Sequence, residues 1–225
     1  MKKSLPISLC IGFLFFTLGV LSAQRWVASP ASKGLLPPEY YVVSIKVVDS
    51  LTIWALANHD YVATSSFNMR IIKTTNGGQT WWTSDVPVNL GVDGYDIEAV
   101  DSSTAWISGI SSRVGSAVGV PNISKTTDGG RTWRKVATAR ANHLRFFDRN
   151  NGVAIAPPNL NYTSDGGETW TNRTTAFSNI TNIGFSFFAT NGCTVRGDTL
   201  WQAGGTGQVF KSTNKGRGRL FYAHY

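Results

Sequence analysis

Short runs of alternating polar and apolar residues, separated by turn-forming residues, recur along the 225-residue chain. Near the amino end they are VVSIKVVD at 42–49, IWALANH at 53–59 and NMRIIKTT at 68–75. Alternation with a period of two sends successive side chains to opposite faces of a β-strand. The pattern therefore predicts an all-β fold made of short strands and turns.

An eight-residue motif, called the box below, follows the third run and recurs in full as TTNGGQTW at 74–81, TTDGGRTW at 126–133 and TSDGGETW at 163–170. Its Asp or Asn can bond backbone two residues on, and its glycines supply positive φ, so each box predicts a β-hairpin. A fourth box begins as STNKG at 212–216, but Gly218 and Arg219 stand where Thr and Trp are expected. The structural box positions are Thr74, Asn76, Gly78, Thr80 and Trp81; Thr126, Asp128, Gly130, Thr132 and Trp133; Thr163, Asp165, Gly167, Thr169 and Trp170; and Ser212, Asn214 and Gly216.

A second motif shows that the repeating unit is larger than one turn. VDSLTIW at 48–54 and VDSSTAW at 100–106 each end 22 residues before the Asn or Asp of the following box. The third residues of the four boxes lie 52, 37 and 49 residues apart. Periods of roughly 40 to 50 residues built from short strands predict β-propeller blades. The expected blades are 40–85, 90–137, 141–175 and 181–216.

Each predicted blade holds four antiparallel strands, of which the first is innermost. The second blade repeats the first with GYDIEAVD, AWISGI, NISKTT and TWRKVAT, and the third is compressed to HLRFFD, GVAIAP, LNYTS and TWTNRTT. In the fourth, IGFSFFAT at 183–190 is the expected innermost strand, followed by LWQAGG and QVFKST. Residues 217–225 read as an aberrant tail that leaves the last hairpin open.

These motifs resemble the Asp-box, or BNR-repeat, family of β-propellers, which includes sialidases, sortilin-type receptor domains and photosystem assembly factors. The resemblance covers about residues 40–216. It implies four-stranded blades with the boxes as structural turns at the outer part of each blade. Since more blades are common in that family, it also implies that the propeller is incomplete. The resemblance implies no single function, because one fold hosts many chemistries.

The amino end predicts export. Lys2 and Lys3 precede an apolar run at 9–21, and a small-residue cleavage site ends at Ala23, so residues 1–23 read as a signal peptide. The alternative is a retained membrane anchor, for which the run is short. Residues 24–39 contain proline and glycine and read as a linker. The expected location is secreted or in the envelope of a bacterium, with no membrane span after cleavage.

Charge and cysteine content narrow the classes of function. Without residues 1–23 the chain keeps 19 basic and 13 acidic side chains, scattered among the blades. Nucleic-acid binding is not expected, because it usually requires a clustered basic stripe. Cys193 is then the only cysteine and reads as a buried small hydrophobe rather than a nucleophile. Six tryptophans fall on repeated positions, which favours packing over sugar stacking: Trp54, Trp81, Trp106, Trp133, Trp170 and Trp201.

The innermost strands of a propeller line its axial channel, and every second side chain points into it. Alignment of the first three innermost strands gives two polar columns, Ser44–Asp96–His143 and Lys46–Glu98–Arg145. We predict that the ligand-binding residues are Lys46, Asp96, Glu98, His143 and Arg145. No metal site is predicted at the boxes, because calcium loops gather several oxygen ligands within one segment. No cofactor is predicted.

Three hypotheses for function remain open. The first is an exported, non-catalytic binding or scaffold propeller that recognises a protein or glycan through its channel face. The second is a sialidase-like glycoside hydrolase, although the FRIP-like segment of those enzymes does not occur. Asp96 and Glu98 would project about 7 Å apart from one strand, where they could hardly flank a glycosidic bond. The third is a fragment of a larger surface protein without independent function.

Overall fold

The computed structural model describes residues 32–59, 69–87, 93–110, 120–156, 159–173, 192–203, 209–217 and 221–223. Within those ranges sixteen strands form four separate sheets, each of four antiparallel strands. In every sheet, each strand pairs with the strand that precedes or follows it in the chain, as in the blades of a propeller. The predicted all-β, four-bladed β-propeller is confirmed. The predicted signal peptide at 1–23 lies outside the described residues.

The first two blades follow the predicted arrangement closely. The strands of the first blade are β1 (Tyr40–Val47), β2 (Ile53–His59), β3 (Arg70–Thr74) and β4 (Trp82–Asp85). Those of the second are β5 (Asp93–Ala99), β6 (Ala105–Ile110), β7 (Pro121–Thr126) and β8 (Arg134–Ala137). The innermost strands β1 and β5 are each bulged at the same place, between Val42 and Ser44 and between Gly94 and Asp96.

The third blade agrees with the prediction, whereas the fourth differs from it. The third consists of β9 (His143–Phe146), β10 (Gly152–Ala156), β11 (Asn159–Thr163) and β12 (Thr171–Asn172). The fourth consists of β13 (Cys193–Arg196), β14 (Thr199–Ala203), β15 (Val209–Ser212) and β16 (Phe221–Ala223).

Two expectations for the fourth blade were therefore wrong. Its innermost strand is β13 rather than residues 183–190, which lie outside the described residues. Its last hairpin is closed, because β16 pairs with β15 from within the predicted aberrant tail. The altered box still makes a turn, in which Lys215 adopts a φ of 59° where the other boxes have their first glycine.

The boxes form the predicted turns between the third and fourth strands. In the first box, the backbone N–H of Gly78 donates to Thr74 Oγ1 over 3.0 Å, and that of Thr80 donates to Asn76 Oδ1 over 2.9 Å. The same bonds recur in the second and third boxes. Both glycines of each full box have positive φ, which costs glycine nothing sterically.

Hydrophobic packing between neighbouring sheets joins the blades. Innermost strands pack in sequence, β1 against β5, β5 against β9 and β9 against β13, which arranges them around the channel. Trp54 of the first blade and Trp106 of the second are completely buried against the next blade. Trp106 stacks on Phe146 with ring centroids 3.5 Å apart and planes 7° from parallel. Burial of such side chains contributes about 2–3 kcal/mol each.

The segment before β1 lies against the first blade. Leu35 and Leu36 pack on Ala55, Ala57 and Ile72, on the face of that blade directed away from the second. The second half of the predicted linker thus covers apolar surface. In the described part of the chain, no helix is long and apolar enough to cross a bilayer.

Candidate ligand-binding site at the channel

The four innermost strands enclose a cleft of about 570 Å³ at the predicted channel. All four blades contribute to its wall. The lining residues are Val42, Val43, Ser44, Ile45, Lys46, Asp96, Ile97, Glu98, Arg145, Cys193 and Thr194. Four of the five predicted ligand-binding residues therefore meet at one place.

Asp96 is the centre of the first predicted column. Its carboxylate accepts hydrogen bonds from the Ser44 hydroxyl over 2.7 Å, from the Leu144 backbone N–H over 2.9 Å and from Arg145 Nη1 over 2.7 Å. The side chain therefore links the innermost strands of the first three blades. It lines the cleft but is almost completely buried.

Glu98 is the centre of the second column and lies between two cations. Lys46 Nζ forms an ion pair with it, and Arg145 Nη1 lies 3.6 Å from Glu98 Oε2. Burial nevertheless raises the pKa of Glu98 to about 7, because desolvation of the carboxylate outweighs attraction to Lys46 and Arg145. Arg145 also donates from Nε to the Cys193 carbonyl over 2.9 Å, so it connects the third and fourth blades.

His143 is the one predicted binding residue outside the cleft lining. It is half-buried, and desolvation lowers its pKa. Arg145, two residues further along the same strand, donates a hydrogen bond to Asp96, although the alignment placed His143 and not Arg145 in the column of Asp96. Arg145 can reach Asp96 from this position because the arginine side chain is long.

The strand alignment missed Cys193 and Thr194. Both belong to β13, and Thr194 is exposed in the position that corresponds to Lys46, Glu98 and Arg145. The signal that could have revealed them is GDTLWQA at 197–203, since the innermost strand of a blade ends just before that segment. Cys193 itself is buried, as predicted, and burial raises the pKa of its thiol to about 12.

The boxes contribute nothing to the cleft lining. Their Asp and Asn side chains make hydrogen bonds within each turn. Asp165 Oδ1, for example, accepts one from the Thr169 N–H over 2.9 Å. Among the described residues, no group of three or more His, Cys, Asp or Glu side chains is placed to hold a metal ion.

The cleft can hold a ligand chiefly by its cations and apolar walls. Lys46 retains 30% of its side-chain exposure, whereas the side chain of Glu98 is only 1% exposed. Val42 and Ile45 present large exposed apolar surfaces beside Lys46. Both carboxylates are bound to cations, so the arrangement offers the partly exposed Lys46 and apolar contact rather than a free acid.

No family model matches the sequence, and no curated protein sequence matches it. Among solved structures, YCF48 from Cyanidioschyzon merolae matches 84% of this chain at 15% identity with a TM-score of 0.52, and this chain spans 58% of its length. YCF48 bound to a D1 peptide matches 83% of this chain at 16% identity, over 70% of that chain, with a TM-score of 0.45. The Niastella koreensis GH74 enzyme matches 82% of this chain at 14% identity, over 30% of that chain, with a TM-score of 0.46. Such low identities show the fold alone, and by its fold the chain is a β-propeller protein.

Proposed function

We propose that the chain is an exported, non-catalytic binding propeller of the Asp-box kind, which recognises a protein or glycan through its channel cleft. The observation that carries this proposal is the cluster of ion-paired side chains contributed by three blades to one cleft wall. Export rests on the sequence of residues 1–23. The Asp-box assignment rests on three full boxes that repeat the same hydrogen bonds.

The chemistry of the cleft favours a ligand that carries an acidic group beside an apolar one. Lys46 lines the cleft with a side chain that is 30% exposed, and Arg145 is the second cation of the lining. Ionised donors such as these bind carboxylates more strongly than neutral donors do. The exposed side chain of Val42 would contact the apolar part of the ligand. An acidic peptide segment and an acidic sugar both meet this description.

The carboxylates are poorly arranged for glycoside hydrolysis. Asp96 and Glu98 project from one strand, and both are buried and held by Arg145. A hydrolase needs two carboxyl groups on opposite sides of the scissile bond, one of them able to exchange a proton with the leaving group. The geometry therefore supports binding in preference to the sialidase-like alternative.

Binding can be tested with the purified chain on arrays of acidic and neutral glycans and of acidic peptides. We expect retention of acidic probes, weakened about tenfold by Lys46→Ala through loss of a charge-assisted contact. Lys135→Ala is the matched control, because Lys135 is an exposed lysine on the outer strand β8. Equal loss in both variants would show non-specific attraction to a basic protein. Turnover of fluorogenic sialosides that Asp96→Asn abolishes would instead establish a hydrolase.

A further inference from the structure

A tryptophan and a lysine form a paired contact on the face that each of the first two blades turns toward the next. Trp54 stands opposite Lys73 in the register of β2 and β3, and Trp106 stands opposite Lys125 in that of β6 and β7. The lysine Nζ lies 4.1 Å from the Trp54 ring centroid in the first pair and 5.3 Å from the Trp106 ring centroid in the second. Cation–π attraction holds each pair together.

The first pair binds two parts of the following blade, and the second pair binds one of these two parts in the blade that follows it. One part is the loop between its first two strands, where the Asp101 carbonyl accepts a bond of 3.1 Å from Trp54 Nε1 and the Ser102 carbonyl accepts one from Lys73 Nζ. The other part is the glycine pair of its box. The Gly129 carbonyl accepts a bond of 3.2 Å from Lys73 Nζ, and the Gly166 carbonyl accepts one of 2.9 Å from Trp106 Nε1.

A third copy of the pair lies on the fourth blade. Trp201 stands opposite Lys211 in the register of β14 and β15, and Lys211 Nζ lies 5.6 Å from the Trp201 ring centroid. The buried neighbours Leu200 and Phe210 pack toward the third blade, so Trp201 and Lys211 face away from it. Trp201 is half-buried and Lys211 is exposed, whereas Trp54 and Trp106 are completely buried.

The first blade presents the complementary half of this contact. Ile97 of the second blade and Leu144 of the third are buried against the blade before them, and the equivalent residue of the first blade, Ile45, is 63% exposed. Val47 is 59% exposed, although its equivalents Ala99 and Phe146 are buried. The β1 part of the first blade's face and the Trp201–Lys211 part of the fourth blade's face are therefore both accessible.

The polar parts of the contact are also present on the first blade. Asp49 and Ser50 repeat the loop of Asp101 and Ser102, within the shared sequence VDS. The box glycines Gly77 and Gly78 have φ of 68° and 84°, in the same conformation as Gly129 and Gly130 at 82° and 92°. The first blade therefore carries the same kind of loop and box glycines that bind the tryptophan–lysine pairs elsewhere in the chain. These groups could bind Trp201 and Lys211 of another copy.

We propose that this chain associates head to tail with a second copy of itself, the fourth blade of one copy docking its Trp201–Lys211 pair on the first blade of the other. A second copy is the fitting partner because one chain carries both halves of a contact that it already makes between its own blades. Contacts of this heterologous type close into a ring when the rotation permits. Two copies joined at both contacts would form a ring of eight blades.

The described strands of one chain do not bring the two halves together. The described strands of the fourth blade make no packing contact with the first blade comparable to those between consecutive blades. Leu35 and Leu36 cover the side of β2 and β3 on that face, and they leave Ile45 and Val47 of β1 open. The docking partner therefore meets β1, its loop and the first box.

The proposal is tested by analytical ultracentrifugation of the purified full chain over a range of concentrations. We expect a species of twice the chain mass. Trp201→Ala and Ile45→Asp should each weaken its formation by at least about tenfold, as loss of a buried interface anchor usually does. Val120→Glu, an equally drastic change at an exposed apolar residue before β7, should leave association unchanged. A monomer at all concentrations would overturn the proposal and leave both faces for another polypeptide.

Mixing the two variants separates head-to-tail docking from other modes of association. The Ile45→Asp chain keeps an intact fourth blade, and the Trp201→Ala chain keeps an intact first blade. We expect a mixture to form dimers although neither variant does so alone. Failure of the mixture to associate, while the wild-type chain does, would overturn head-to-tail docking.

Cross-linking supplies a measurement that does not depend on substitutions of buried residues. Ser50 and Lys211 are both exposed, and they correspond to Ser102 and Lys73, which touch between the first two blades. A short bismaleimide should link a Ser50→Cys chain to a Lys211→Cys chain and should link neither to itself. Native Cys193 is buried, and Cys10 is replaced by Ser in both chains, so no other cysteine competes. Absence of the mixed product from a sample that ultracentrifugation shows to be dimeric would also overturn the proposal.

Discussion

The third residue of each box shows how one side chain fixes a local turn. Asp128 Oδ1 accepts the Thr132 N–H over 2.9 Å, and Oδ2 accepts the Thr132 hydroxyl over 2.5 Å. These hydrogen bonds favour the ionised carboxylate and hold the pKa of Asp128 well below its usual range. Asn76 makes the equivalent contacts in the first box, with its Nδ2 donating to Thr80 Oγ1 over 2.8 Å. The turn therefore needs the acceptor geometry and not the negative charge.

We predict that Asp128→Ala lowers the free energy of unfolding by about 1 kcal/mol or more, since it removes three hydrogen bonds of the turn. Asp128→Asn is the matched control and should cost much less, because Asn76 already serves in that role. Below pH 4 the wild-type chain should lose stability that the Asn variant keeps, because protonation removes the advantage of a carboxylate with a lowered pKa. Urea unfolding at pH 7 and pH 3 measures both effects. Equal losses for Ala and Asn at pH 7 would contradict this account.

At the scale of elements, a box turn also packs on the neighbouring blade. Gly130 has a φ of 92°, and a Cβ there would lie 3.1 Å from the Trp54 ring and 3.2 Å from the Trp82 ring. Trp82, unassigned among the repeated tryptophans, thus has a packing role. The second glycine of a box is needed both for the turn and for close approach between blades.

We predict that Gly130→Ala destabilises the chain by about 2–3 kcal/mol, from backbone strain together with overpacking against Trp54. Gly197→Ala is the matched control, because Gly197 has a φ of 56° but no atom within 4 Å of the added Cβ. It should cost only about 1 kcal/mol. Thermal or urea unfolding of the two variants measures the difference. Similar losses of stability would show that position 130 requires glycine for the turn alone and not for packing between blades.

At the scale of the whole molecule, the ion-paired cluster joins all four blades at the channel. Asp96 accepts hydrogen bonds from the Ser44 hydroxyl of the first blade and from the Leu144 N–H of the third. Arg145 donates one to the carbonyl of Cys193 in the fourth blade. Buried ion pairs add little net stability, because desolvation offsets their attraction, yet an unpaired buried charge is costly. The cluster thus ties the orientation of the blades to the charge state of Glu98.

This coupling predicts a pH dependence. Folding raises the pKa of Glu98 from its ordinary 4.5 to about 7, so the native state holds the proton more tightly than the unfolded chain. The contribution of Glu98 to stability therefore falls as pH rises from 4.5 to 7 and is constant above that range. We expect the stability of wild-type protein relative to Glu98→Gln to decrease across this window. Urea unfolding of both proteins at pH 4, 5.5 and 7.5 measures it, and a constant difference would contradict the raised pKa.

The prediction from sequence succeeded where local chemistry decides the structure. The boxes and the strands of the first three blades each depend on residues close together in the chain. It failed for the fourth blade, where IGFSFFAT is more apolar than the segment that forms β13. It also did not show that Arg145 bonds to Asp96, because the reach of a side chain across strands is absent from a column alignment.

By itself, the sequence of this protein determined the blades, since turns and strands depend on hydrogen bonds and side-chain alternation within a few residues. It also brought Lys46, Asp96, Glu98 and Arg145 to one place, because equivalent positions of repeated strands meet at the channel. Only the tertiary structure decided that both carboxylates are buried and paired, and that the Trp201–Lys211 pair and the Ile45–Val47 surface lie open at the two ends of the blade array. Burial and pairing depend on which blade faces which, and that is a property of packing between distant segments.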